Sequence, residues 1–205
     1  MERQALKITP VSDVNPNYQN AITAYHKGDF SFCLDNLRIG IQAGDAGCMT
    51  LLGTLYVEGE AGLQQDKRKG IALLEQAVGL HNIEATYVLG NMLYKGISIK
   101  RDKKRGLRFI RRAAFMRHIE AQWDLSGVYS AKFKFKRALL WGIVAANNGH
   151  EKAIEWVNRF GKVQDADVKL AEGLLNCIDG IYLMRGIDSN EALKRLAYYE
   201  INPFK

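Results

Sequence analysis

One interval constrains this chain more than any other feature. Ala77 to Ala85, Ala113 to Ala121 and Ala145 to Ala153 are each eight residues apart. The longer spacing that alternates with it drifts, from 37 residues (Cys48 to Ala85) to 36 (Ala85 to Ala121) and 32 (Ala121 to Ala153). A constant link beside a variable one is the mark of a repeated unit whose length changes fall in an internal loop. The units begin Cys48-Met-Thr-Leu-Leu-Gly53, Ala85-Thr-Tyr-Val-Leu-Gly90 and Ala121-Gln-Trp-Asp-Leu-Ser126. Their second halves begin Asp66-Lys-Arg-Lys-Gly70, Asp102-Lys-Lys-Arg-Gly106 and Lys134-Phe-Lys-Arg-Ala138.

Within each half, apolar residues recur at i, i+3, i+4 and i+7, the stripe of an amphipathic helix. Ala85, Leu89 and Leu93 share one face; Leu107, Ile110 and Ala114 share the matching face of the partner helix. Gly53, Gly90 and Ser126 sit at one register, where a small residue lets two helices approach closely despite glycine's cost of about 1 kcal/mol in a helix. Asp66 and Asp102 stand where an N-cap is wanted, and the third unit lacks that Asp.

The order A-x3-LG-x2-Y-x2-G followed by D-x2-K-x7-A-A-x2-G resembles the Sel-one-like repeats, relatives of the tetratricopeptide repeat. The resemblance spans about residues 46–157, with Leu93 where Tyr is usual, Ser126 for Gly and a shortened third loop. It implies an all-α, right-handed solenoid of stacked helix-turn-helix units, with about eleven helices and almost no strand. The expected layout is an N-terminal extension (1–15), a tetratricopeptide-like hairpin (16–45), the repeats (46–160) and C-terminal capping helices (161–205), all in one continuous domain. The fourth repeat's second half is expected at Asp165–Met184, and a capped last helix after Asp188-Ser-Asn-Glu191.

Cys33, Cys48 and Cys177 are odd in number and far apart, which fits buried thiols in a reducing compartment better than a disulfide framework. The first residues carry no apolar secretory segment, and the longest apolar run, Leu139 to Ala146, is far below the ~20 residues a bilayer span needs. A cytoplasmic location without membrane insertion is the expectation. His81, His118 and His150 recur at the inter-repeat turn, so the repeat itself accounts for them. Glu75, Glu84 and Glu120 fall one per repeat on faces expected to be exposed. No HExxH, CxxC, Walker, GxSxG or GxGxxG pattern occurs, so no catalytic residue, metal or cofactor is expected.

Charge is unevenly spread. The chain carries +7 overall, yet residues 100–137 hold thirteen Lys and Arg against Asp102, Glu120 and Asp124, a local +10. An acidic partner is favoured. The basic edge comprises Arg101, Lys103, Lys104, Arg105, Arg108, Arg112, Lys134, Lys136 and Arg137. Lys132-Phe-Lys-Phe-Lys-Arg137 looks like a stacking element for nucleic acid, but its place in the shortened loop favours Phe133 and Phe135 as plugs of that turn. In solenoids of this type the first helix of each repeat lines the concave side, which would present Thr50, Thr54, Val57, Tyr87, Asn91, Tyr94, Lys95 and Trp123. Tyr and Trp there either anchor a partner or pack into the next repeat.

The resemblance implies a non-enzymatic protein-binding module: an adaptor, or an immunity protein that blocks a secreted toxin or effector. A nucleic-acid-backbone binder using residues 100–137 ranks second, and a general assembly scaffold with an uncharacterised enzyme partner comes last.

Overall fold

The computed structural model describes residues 15–160. Over these residues the chain forms nine α-helices and no strand. The helices are α1 (Pro16–Lys27), α2 (Phe30–Gln42), α3 (Ala46–Glu58), α4 (Lys67–Gly79), α5 (Ile83–Lys95), α6 (Lys103–Phe115), α7 (Ile119–Ser130), α8 (Phe135–Asn147) and α9 (Glu151–Phe160). The chain divides into two compact units, Met1–Ala85 and Thr86–Lys205. Cys177, the second half of the fourth repeat and the expected terminal helix lie outside the described residues.

In the first unit, Gly28 ends α1 in a left-handed conformation, and the Asp29 carboxylate accepts from Phe32 N–H to open α2. These two residues make the hairpin corner that Gly28-Asp29-Phe30 announces. Ala21, Leu37, Cys48, Leu52 and Leu55 build the core here. Cys33 and Cys48 are wholly buried, and that burial pushes both thiols above the ordinary range.

The small residues of the repeat do what their register suggests. A Cβ on Gly53 would lie 2.9 Å from the Gly70 carbonyl oxygen, and one on Gly70 would lie 2.6 Å from Val57 Cγ2. Helices α3 and α4 therefore cross backbone to backbone. In the second unit, a Cβ on Gly90 would lie 2.9 Å from Ile110 N, and one on Gly106 would lie 2.7 Å from the Gly90 carbonyl and strike Tyr94 N. In the third hairpin Ser126 and Ala138 replace the glycine pair, and the Ser126 Oγ–H donates to the Ala138 carbonyl at 2.7 Å. The hydroxyl occupies the space between the helices and satisfies itself on the facing backbone.

Second helices open on Asp66 and Asp102, whose carboxylates accept from Lys69 and Arg105 N–H. Helix α8 opens on Lys134 with no side-chain cap, the consequence of the missing Asp. Fully buried Trp141 meets Phe115 edge to face at 5.2 Å and ties α8 to α6 within the core of the second unit.

Gly106→Ala is expected to cost about 2 kcal/mol, because the methyl meets facing backbone that has no rotamer with which to yield. Gly127→Ala has no neighbour within 4 Å and should stabilise α7 by about 0.5–1 kcal/mol. Chemical denaturation of both variants checks the contrast.

Candidate functional site

First helices start from a shared two-residue turn. Gly44, His81, Arg117 and Gly149 each adopt positive φ (79°, 61°, 67° and 88°), and the following residue caps the helix. Asp45, Asn82, His118 and His150 accept the backbone N–H of Cys48, Ala85, Ala121 and Ala153. The recurrent histidines thus belong to the turn, as the spacing indicates. In two repeats an imidazole Nδ1 takes the place of the usual carboxylate or amide oxygen as the acceptor.

The same caps join consecutive repeats. In the first unit, Thr50 Oγ1 lies 2.7 Å from the Ala46 carbonyl and 3.2 Å from Asn82 Oδ1. One repeat on, Tyr87 stacks on His118 with ring centres 4.2 Å apart. One further, Trp123 stacks on His150 at 5.2 Å and meets Trp156 edge to face at 6.0 Å. Thr50, Tyr87 and Trp123 share a register, two residues after Cys48, Ala85 and Ala121. That position reaches forward to the next repeat's cap. Buried Gln122 adds a further tie, donating to the Ala114 carbonyl at 3.1 Å and accepting from Asn148 at 2.9 Å.

Around Tyr87 a polar chain runs through the second unit. Asn91 Nδ2 donates to the Tyr87 hydroxyl at 3.3 Å, which donates to Asp124 Oδ2 at 3.0 Å. Burial raises the Asp124 carboxyl above its ordinary range and outweighs the opposing Tyr87 hydrogen bond and Lys95 charge. Asn91 Oδ1 is buried and accepts no hydrogen bond. His150 Nε2 lies 3.2 Å from Glu120 Oε2, so Glu120, expected on an exposed face, is half-buried beside the cap. Asp124, one of only three acids in the basic segment, carries no sequence signal for this role.

The residues expected on the inner face separate into two groups. Thr50 and Val57 are buried, at 5% exposure each, and are corrected from contact residues to structural ones. Thr50 is the inter-repeat tie, and Val57 fills the space beside Gly70. Thr54, half-buried, donates its hydroxyl to the Thr50 carbonyl. Tyr87, Asn91, Tyr94 and Trp123 are half-buried and Lys95 is exposed, all within the second unit. Tyr87 and Trp123 therefore pack into the next repeat while each keeps part of its surface open.

On the second helices and the residues leading into them, Arg101, Lys103, Lys104, Arg105, Arg108, Lys134 and Lys136 are exposed, whereas Arg112 and Arg137 are half-buried. The Arg101 Nε–H donates to the Tyr94 carbonyl at 3.1 Å. Two guanidiniums lie over aromatic rings, Arg105 over Phe109 and Arg137 over Tyr129. Phe133 and Phe135 do not plug their turn. They are 81% and 65% exposed, whereas Leu140, Trp141 and Tyr129 are buried in the core.

Among the described residues no group of His, Cys, Asp and Glu is placed to hold a metal ion, and no helix is long and apolar enough to cross a membrane. Fold and ties together define a class, an all-α solenoid of helical repeats. Residues 46–80 and 83–114, about a third of the chain, match the family model of the Sel1 repeat. The solved Sel1 repeat protein from Oxalobacter formigenes is similar at 20% identity and a TM-score of 0.63, over 72% of this chain and 60% of that one. A protective antigen from uropathogenic Escherichia coli strains, displaying an SLR fold, aligns at 18% identity and a TM-score of 0.44, over 87% of this chain and 48% of that one. The chain thus spans less than two thirds of the length of either. No curated protein matches it in sequence.

His150→Ala should cost about 2 kcal/mol, since it removes both the cap and the Trp123 stack. His150→Asn, which restores the acceptor found at Asn82, should recover about half of that loss. Thermal unfolding of the two variants distinguishes cap from stack.

The sign for Asp124 follows from its raised carboxyl. Ionisation is costlier in the folded chain than in the unfolded one, so stability falls as pH climbs from the ordinary Asp value, about 3.9, through the raised folded value. Asp124→Asn should therefore be more stable than wild type at neutral pH, and the difference should vanish in acid. Urea denaturation across that pH range is the check.

Proposed function

We propose that the chain is a protein-binding module for an acidic partner, acting as an immunity protein that neutralises a toxin or as a regulatory adaptor. The observation that carries the reading is the charge of the second unit's repeats: residues 100–137 hold +10, and seven of the nine edge cations are exposed. Beside them Tyr87, Tyr94 and Trp123 keep open surface on rigid first helices. Tyr87 and Trp123 are held by stacking and hydrogen bonds, so little entropy is lost when they become anchors. Aromatic anchors supply affinity, and a one-sign field supplies association rate and partner choice. The Sel1 repeats support a protein partner, and a cytoplasmic setting would fit the two buried thiols.

The test is affinity capture with the full chain from its native cell, with and without nuclease and at raised salt. A stoichiometric acidic protein that survives both treatments is the expected result. With that partner purified, Tyr94→Ala should weaken binding by about 2 kcal/mol, mainly through faster dissociation. Lys103→Glu with Lys104→Glu should act mainly on the association rate. Recovery that collapses with nuclease and falls steeply with salt would instead favour a nucleic-acid backbone along the exposed cations of α6.

A further inference from the structure

Two turns of the second unit carry exposed apolar side chains inside a cluster of cations. After α7, Phe133 and Phe135 are 81% and 65% exposed, with ring centres 6.1 Å apart and planes at 79°. Lys132, Lys134 and Lys136 alternate with them, all exposed, and no acid occurs from residue 125 to 150. After α5, Ile97 is 53% exposed, flanked by exposed Lys95, Lys100, Arg101, Lys103 and Lys104. Helices α5 and α7 occupy the same register in consecutive repeats and are joined side by side by the Tyr87–Asp124 bond and the Tyr87–His118 stack. They run in the same direction, so the turns that follow them emerge at the same end of the unit. The corresponding turn of the preceding repeat has a different chemistry: Ala61 is buried, Leu63 is half-buried, and the nearby charges include Glu58 and Glu60.

We propose that this end of the second unit is a peripheral docking edge for an anionic phospholipid bilayer, with Phe133, Phe135 and Ile97 entering the interface and the surrounding lysines meeting the headgroups. Charge selects the partner, because an apolar wedge combined with a cation cluster is the two-part signal that holds a protein on an acidic membrane. A protein partner suits the tip less well, since the dry centre of a protein interface is depleted in lysine, and here a lysine flanks each ring. Single-stranded nucleic acid suits it less well too. Bases stack on aromatic faces, the two rings stand nearly perpendicular, and Ile97 offers no π face. This reading shares cations of the basic edge with the proposed protein-binding function, but it rests on Phe133, Phe135 and Ile97 of the turns and not on the aromatic side chains of the first helices.

The experiment is sedimentation of the full chain with vesicles of phosphatidylcholine alone and of phosphatidylcholine mixed with phosphatidylglycerol. The expected result is affinity for the mixed vesicles roughly tenfold or more above the neutral ones, declining with salt. Phe133→Ser with Phe135→Ser should reduce it by roughly tenfold, and Ile97→Ser should reduce it further. All three side chains are exposed, so circular dichroism of the variants should match wild type. Phe133→Trp should add an emission component that shifts to the blue on vesicle addition. Equal binding to both vesicles, or anionic binding untouched by the serine variants, would overturn the proposal. So would a single-stranded oligonucleotide whose binding requires Phe133 and Phe135 when vesicle binding does not.

Discussion

Everything in the repeats depends on how closely two helix backbones can approach at one crossing. Gly53 lies on Gly70 and Gly90 on Gly106, with no room for a methyl at either contact. A helical glycine lowers intrinsic helix stability by about 1 kcal/mol, so the arrangement persists because the crossing returns more through packing. The close approach allows the leucine and alanine stripes of both helices to share one core. The third hairpin reaches a similar end by other means, with a serine hydroxyl spending its hydrogen bond on the opposing carbonyl.

The second constraint is that each repeat must be told where the next one lies. The cap does this. A residue that satisfies the first orphan N–H groups of a helix also offers its outer surface to the preceding repeat, as an amide to Thr50 or as an imidazole to Tyr87 and Trp123. Capping and stacking use different parts of one side chain, which couples the start of a helix to the placement of its neighbour. The half-open aromatics are rigid for the same reason. Their inner portions are structural and only their margins remain for recognition.

Much of this was legible in the chain's spacing. The constant eight-residue link located the inter-repeat turn and the histidines in it, the Asp residues located the second-helix caps, and the small residues located the crossings. The site was less legible. Residues two positions after Cys48, Ala85 and Ala121 share a register, yet Thr50 is buried while Tyr87 and Trp123 are half-open, because a threonine fits wholly between repeats and a large ring does not. Asp124 gave little signal, since a lone acid in a basic stretch reads as solvated until a tyrosine hydroxyl is found against it.

Local chemistry was therefore settled by the sequence alone: helical periodicity, caps, breaks, the repeat and the +10 segment all rest on interactions within a few residues of one another. Exposure was decided only by tertiary structure. Phe133, in a short loop, and Phe135, the first residue of α8, are apolar residues that by composition alone should fold inward. They stay outside, while Tyr129, Leu140 and Trp141 from α7 and α8 are buried in the core. Whether an apolar side chain is buried depends on what else reaches the same volume, and that is a property of the packed chain.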